Sequence, residues 1–460
     1  MTDFAVLLQP DKGQPATPLH VVDTTGLDAW LATQPAPVRA MLKATGFKAA
    51  ADSVAMVPHD GAMIAVAGVA DATALRPWSL ARAADTLPEG AYRLANGAPG
   101  DAALGWLLAH YRFDRYKKDE VAKGARILLT NDPARIDAMV GEVQAVALVR
   151  DMVNTPAADM GPAEIAAEAE RLAKAHNATV TIVEGAELER GYPMIHAVGR
   201  AAARSHAPRL VELLWGDERH PRLAIVGKGV AFDSGGLDIK PGSGMRHMKK
   251  DMGGAAHAIA LAGLIMRARL KVRLHLLIPT VENAIAGNAF RPGDVLTSRK
   301  GLTVEVTNTD AEGRLILGDA LTRACETPPA LLIDFATLTG AARVALGPDL
   351  PATFSNDDDL AADALAAGIA ADDPLWRLPL HDGYDDSMKS DVADLTNSPD
   401  GGMAGAVMAA LFLRRFVEPG IPWLHLDTFA WMPSAKPGRP RGGDALGLRA
   451  IWGLLRRRFN

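Results

Sequence analysis

The stretch LAIVGKGVAFDSGG, residues 223–236, decides the fold. Its first five residues are apolar without alternation, the pattern of a strand buried on both faces. A glycine-rich turn follows, and then the helical run GGAAHAIALAGLIMRARL (253–270). The same strand, loop and helix order recurs along the chain. VTIVEG (180–185), LVELLW (210–215), VRLHLLIP (272–279), LTVEV (302–306), LLIDFATL (331–338) and WLHLDTF (423–429) read as strands. ILGDALTRACE (316–326) and GAVMAALFLRRFV (405–417) read as helices between them. Apolar strands alternating with helices imply an α/β fold, with a mixed sheet covered by helices on both faces. In such folds the chemistry sits on loops beyond the C-terminal ends of strands.

Towards the N-terminus the pattern shortens. FAVLL (4–8), VAMV (54–57), MIAVAGV (63–69) and ARILL (125–129) alternate with the helical runs LDAWLATQ (27–34) and AALGWLLAHYRF (102–113). Residues 1–140 therefore read as a smaller N-terminal α/β domain. His20, His59 and His110 are scattered through it and read as structural or solvated. A long helix is expected from Pro133 to about Val153, ending at Asn154-Thr155-Pro156, and Pro162 opens a second helix. The junction is placed near residue 140. The connecting helix then belongs to a larger catalytic domain, residues 141–460.

Bulk properties exclude several classes. The 460 residues are 48% hydrophobic and 22% charged, with a net charge of −5. That balance argues against a nucleic-acid binder, which presents a basic face. Arg456-Arg457-Arg458 reads as the solvated end of a last helix, where cations complement the helix dipole. A single cysteine, Cys325, rules out an internal disulfide, suits the cytoplasm, and reads as a small buried residue. The N-terminus has no signal-peptide pattern, and no apolar run approaches the ~18 residues of a membrane span.

The loops after the strands carry the chemistry. One runs from Lys228 through Asp233 and Lys240 to Asp251. The other, EVTNTDAEGRL (305–315), presents Asp310, Glu312 and Arg314 at every second residue. A phosphate-binding loop fails because Arg222 stands at its first glycine position and Gly229 follows the lysine. A dinucleotide fingerprint fails at Phe232. HExxH and GxSxG are absent. What remains is four acids, Asp233, Asp251, Asp310 and Glu312, which would repel in one pocket unless cations neutralise them. Two divalent ions ~3.5–4 Å apart would do so. Lys228 could add a nitrogen ligand, while Lys240 and Arg314 would face substrate.

VGKGVAFDSGGLDIKPGSGMRHMKKDMGGAA (226–256) and NTDAEGRLILGDAL (308–321) closely resemble the leucine aminopeptidase (cytosol aminopeptidase) family of two-metal peptidases. NTPA (154–157), DFATLTGA (334–341), AALFLRRFV (409–417) and WLHLD (423–427) extend the resemblance over roughly residues 140–430. The resemblance implies that Asp233 and Glu312 bridge two metals, Mn²⁺ or Zn²⁺. It implies that Lys228 and Asp251 complete one site and Asp310 the other. Lys240 is then the electrophilic catalyst, and Arg314 holds a bicarbonate ion that serves as general base. Met248, Thr337 and Gly340 resemble the apolar pocket for the first residue, which favours leucine-like side chains. The family also implies short peptides with a free N-terminus as substrates, and a homohexamer. The chain departs from the family at Phe429 and over residues 431–444, where a bulky ring and a Pro-rich loop replace small residues. That departure keeps a narrow dipeptidase as an alternative. A hexameric DNA-binding accessory protein is the alternative of another class.

Overall fold

The computed structural model describes residues 2–117 and 124–459. These form two compact units, Met1–Ala147 with Ser434–Arg441, and Leu148–Pro433 with Gly442–Asn460. The division falls inside the long helix, Ile136–Asn154. The Pro-rich segment 434–441 groups with the first unit.

The first unit holds a six-stranded sheet. Its strands are β1 (Leu8–Pro10), β2 (Thr17–Val22), β3 (Val54–His59), β4 (Ala62–Gly68), β5 (Gly90–Leu94) and β6 (Arg126–Thr130). Their order is β1-β6-β5-β2-β4-β3, parallel except for the β3–β4 hairpin. FAVLL does not form a strand throughout. Asp3 accepts a hydrogen bond from the Ala5 amide at 3.1 Å and caps a 3-10 turn at Phe4–Val6. His110 is structural: its Nδ1 donates to the Trp106 carbonyl at 2.9 Å and its Nε2 accepts from the Arg126 amide. Burial, and then the Arg126 charge, push it down to about 4, so it is neutral near pH 7.

The second unit is built on nine strands. They are β7 (Thr179–Glu184), β8 (Arg209–Trp215), β9 (Arg222–Gly227), β10 (Gly229–Asp233), β11 (Arg273–Asn283), β14 (Leu331–Ala336), β15 (Ala352–Ser355), β16 (Trp376–Arg377) and β18 (Trp423–Asp427). The order is β16-β15-β18-β14-β9-β11-β8-β7, with β10 pairing β11. Strands β18, β14, β9 and β11 run parallel; β8 and β15 run antiparallel to their inner neighbours. Every residue of β14 and β18 is buried, so both faces of the sheet are covered. The helices Gly253–Arg267 and Glu312–Cys325 both pack on β9.

Three details differ from the sequence expectation. GVAFD, read as loop, is β10. The long β11 pairs through Arg273–Leu277 with β9 and from Thr280 onward with β10, so β9 and β10 act as one strand broken at Lys228. LTVEV supplies only Thr303–Glu305 (β13), which joins β12 (Val295–Thr297) and β17 (Leu395–Thr396) in a separate three-stranded sheet. Its alternating pattern suits a half-buried ladder rather than the all-apolar main sheet. Glu312 and Arg314 lie in the first turn of the helix Glu312–Cys325, not in a loop. An acid in that turn complements the positive end of the helix dipole.

Close backbone approach explains the glycines that follow Asp251. A Cβ on Gly254 would stand 2.2 Å from the Phe335 carbonyl oxygen and 2.8 Å from the Lys228 amide nitrogen. The helix Gly253–Arg267 can therefore begin directly against the ends of β9 and β14. We expect Gly254→Ala to destabilise the protein by about 2–3 kcal/mol through overpacking, measured as a lower urea midpoint.

Glu212 of β8 provides a pH test. It contacts His275 Nε2 at 2.6 Å and Arg323 Nη2 at 2.8 Å. Burial alone would raise its carboxyl, but His275 and Arg323 overcome this and hold it at about 2, below the usual 4.5. A depressed carboxyl stabilises the fold above about 4.5, and that contribution drains away as pH falls towards 2. The gap in stability between wild type and Glu212→Gln, about 2–3 kcal/mol at pH 6, should narrow by more than about 1 kcal/mol at pH 3.5. An equal gap at both pH values would contradict this assignment.

Candidate active site

Four pieces of backbone meet at the C-terminal ends of the central strands. The break between β9 and β10 presents Lys228, and β10 ends on Asp233. The 3-10 turn Met248–Met252 carries Met248 and Asp251, and the helix start presents Glu312 and Arg314. The loop after β14 closes the pocket with Thr337 and Gly340. All ten residues singled out from the sequence line this one pocket: Lys228, Asp233, Lys240, Met248, Asp251, Asp310, Glu312, Arg314, Thr337 and Gly340.

The contacts are dense and ionic. Lys228 Nζ lies 2.8 Å from Asp251 Oδ2 and 3.0 Å from Glu312 Oε1, and donates to the Thr337 carbonyl at 3.0 Å. Lys240 Nζ lies 2.8 Å from Asp233 Oδ2 and also contacts Asp310 Oδ1. Asp233 Oδ1 accepts from the Gly235 amide and from Asn283 Nδ2, each at 2.9 Å. Thr337 Oγ1 lies 2.9 Å from both the Asp251 carbonyl and its Oδ1. Gly313 makes room for this arrangement, since a Cβ there would stand 2.5 Å from Lys228 Cε and 2.7 Å from its Nζ.

Four carboxylates meet the ammonium groups of Lys228 and Lys240 at close range, and two of the acids stay raised despite them. Burial, and then the Asp233 charge, raise Glu312 to about 8 and Asp310 to about 6. Asp251 escapes this: burial would raise it, but Lys228 and Lys250 bring it to about 2. Burial would equally depress Lys228 and Lys240, yet the surrounding carboxylates lift both above the usual lysine range.

The donor set fits divalent cations. One carboxylate oxygen from each of Asp233, Asp310 and Glu312 lies within 4.8 Å of the others. Asp251 Oδ2 and Asp310 Oδ1 are buried and meet lysine nitrogens only as ion pairs, with no aligned hydrogen bond. Arg314 adds an anion-holding feature. Its Nη1 donates to the Asn397 carbonyl at 2.7 Å, while its buried Nε has no hydrogen-bond acceptor.

Sequence reasoning missed three contributors. Asp427, at the end of β18, accepts from the Leu338 amide at 2.9 Å, the Thr339 amide at 3.1 Å and Thr339 Oγ1 at 2.6 Å. It pins the loop that carries Thr337 and Gly340. Lys250 and Arg343 also line the pocket. Their signals were faint: a second lysine directly before Asp251, and an arginine three residues after Gly340, on the same helix face. Phe429, noted as a departure, has Lys250 Nζ 5.7 Å and Arg343 Cζ 4.8 Å from its ring centroid. Trp431–Met432 in the rebuilt stretch pairs antiparallel with Gly442–Gly443.

Comparison with known proteins agrees with the geometry. The family described as "Cytosol aminopeptidase family, catalytic domain" matches residues 147–452. "M17 aminopeptidase, N-terminal domain" matches residues 17–130. A probable cytosol aminopeptidase of Syntrophotalea carbinolica is 43% identical over 76% of this chain and 73% of its own length. The crystal structure of the cytosol aminopeptidase from Coxiella burnetii matches with a TM-score of 0.93 at 45% identity, covering 99% of this chain and 100% of that one. The bottromycin maturation enzyme BotP, solved in complex with Mn, matches with a TM-score of 0.86 at 33% identity, covering 96% and 99%. The chain belongs to the cytosol aminopeptidase family, peptidase family M17, and is a metal-dependent aminopeptidase.

Proposed function

We propose that this aminopeptidase releases N-terminal residues from short peptides in the cytoplasm with the aid of two divalent ions, Mn²⁺ or Zn²⁺. The supporting observation is the convergence of Asp233, Asp310 and Glu312 within 4.8 Å, beside Lys228 and Asp251. Asp233 and Glu312 would hold both ions, Lys228 and Asp251 one, and Asp310 the other. Bound divalent ions act as Lewis acids and lower the pKa of water from 15.7 towards ~7.

The remaining work falls to the chain's own groups. With two dications held by the four carboxylates, Lys228 and Lys240 would no longer be needed to neutralise them. Lys228 then serves as a neutral amine, since a dication displaces its proton. Lys240 becomes free to donate to the scissile carbonyl oxygen and to stabilise the charge that develops there. The unpartnered Nε–H of Arg314 offers a grip for bicarbonate, the general base that the family resemblance implies. A peptide would have to bring a free α-amine, because an unblocked amine can ligate a divalent ion and an acylated nitrogen cannot. Met248, Thr337 and Gly340 form the wall for the first side chain, with an apolar, leucine-like residue as the sequence-based expectation. Exposed Ile239, Val344, Val392 and Met403 support an assembled state, which we take to be the homohexamer. Light scattering of the native protein should return six times the single-chain mass.

Metal-stripped protein should recover hydrolysis of Leu-p-nitroanilide with Mn²⁺ or Zn²⁺, and should leave N-acetylated substrates intact. Glu312→Ala and Lys240→Ala should each lower kcat/KM by about 10²-fold or more. Absence of cleavage with every metal tried would overturn the proposal. Gly313→Ala, which sets a methyl group against Lys228, should weaken metal binding by about 10–100-fold in a calorimetric titration of the metal-free protein.

A further inference from the structure

The side-chain end of the pocket is not the apolar slot that Met248 alone would give. Lys250 is 2% exposed yet lines the pocket. Its ammonium stands 3.5 Å from Asp251 Oδ1, a long contact with an acid that Lys228 already approaches at 2.8 Å. Arg343 enters from the helix Gly340–Leu346, and its Nη1 donates to the Thr339 carbonyl at 2.8 Å. Among the described residues no carboxylate pairs with Arg343. The nearby acid Asp427 is committed to the Leu338 and Thr339 amides and the Thr339 hydroxyl. Phe429 meets both cations with its ring.

An apolar first side chain would meet a buried ammonium and half a guanidinium without satisfying either. A carboxylate would satisfy both through charge-assisted hydrogen bonds, which are the strong ones. We propose that Lys250 and Arg343 make this end of the pocket an anion-holding subsite, so that the enzyme prefers peptides beginning with glutamate or aspartate. The inference rests on reading Met248, Thr337 and Gly340 as the wall beside the first side chain.

The test compares isosteric pairs, Glu-Leu with Gln-Leu and Asp-Leu with Asn-Leu, on the Mn²⁺-loaded full-length enzyme, with Leu-Leu alongside. We expect kcat/KM to favour each acid over its amide by tenfold or more. Lys250→Met and Arg343→Met should each cut that ratio by about tenfold. The ratio is taken within each variant, so a loss of folded enzyme cancels. A merely structural role would slow both members of a pair equally and leave the ratio unmoved. Calorimetric binding of free glutamate against glutamine gives a second readout that needs no turnover. Ratios near one in the wild type, by both readouts, would overturn the proposal, as would an acid preference that survives in both variants. Tighter binding of glutamate that both substitutions abolish, in a protein that cleaves no peptide, would uphold the subsite and overturn the peptidase reading instead.

Discussion

Uncompensated negative charge in a buried space is the constraint on which the second unit depends. Asp233, Asp251 and Glu312 are buried and Asp310 is partly so, and like charges in a poorly solvated pocket cannot all ionise without cations. Without metal, the molecule meets this constraint with the ammonium groups of Lys228 and Lys240 and with raised carboxyl affinities at Asp310 and Glu312. That arrangement is a compromise rather than a resting design. Asp310 and Glu312 still hold their protons more tightly than usual, so the cluster suits cations of higher charge density than an ammonium group.

The backbone around the site follows from the same need. A lysine that must reach the centre of an acid cluster cannot sit on a flexible loop without losing precision. Here Lys228 is held by the strand on either side of it, and its amide donates to Phe335 of β14 at 2.9 Å. The glycines nearby are small because other backbones need their space. Gly254 lets a helix start against two strand ends, and Gly313 leaves the path of the lysine side chain open. Both substitutions would act on the site through geometry, and the methyl group at Gly313 would press on Lys228 itself.

This division explains what the sequence made legible. The all-apolar runs at β9, β14 and β18 were clear because burial on both faces leaves no alternation to misread. The pocket residues were clear because acids and glycines rarely crowd together without a shared partner. LTVEV was harder, since propensity marks a strand but does not say which sheet it joins. The break at Lys228 was hidden because GVAFD reads equally as a glycine loop until the unusual length of β11 is known. Glu312 and Arg314 looked like loop residues because a helix start carries no apolar period of its own. The grouping of 434–441 with the first unit depends on contacts far apart in sequence, and no local pattern reports those. Lys250 was obscured for a different reason. A lysine beside an aspartate reads as a solvated ion pair, and only its burial shows otherwise.

Lys250 also shows why the charge balance of the site and its choice of substrate cannot be separated. Asp251 is approached by two lysines, closely by Lys228 and at longer range by Lys250. On the proposed reading, a divalent ion would take Lys228 as a neutral amine and Asp251 as a carboxylate ligand. The more distant Lys250 would then share that carboxylate with the ion. Its own position is fixed by burial and by the Phe429 ring, so it cannot turn to water for a new partner. An anion supplied by the substrate would be the partner that keeps Lys250 charged, against the burial that pushes its ammonium down to about 8. In a substrate whose α-amine faces the acids, the first side chain is the group that can reach that end.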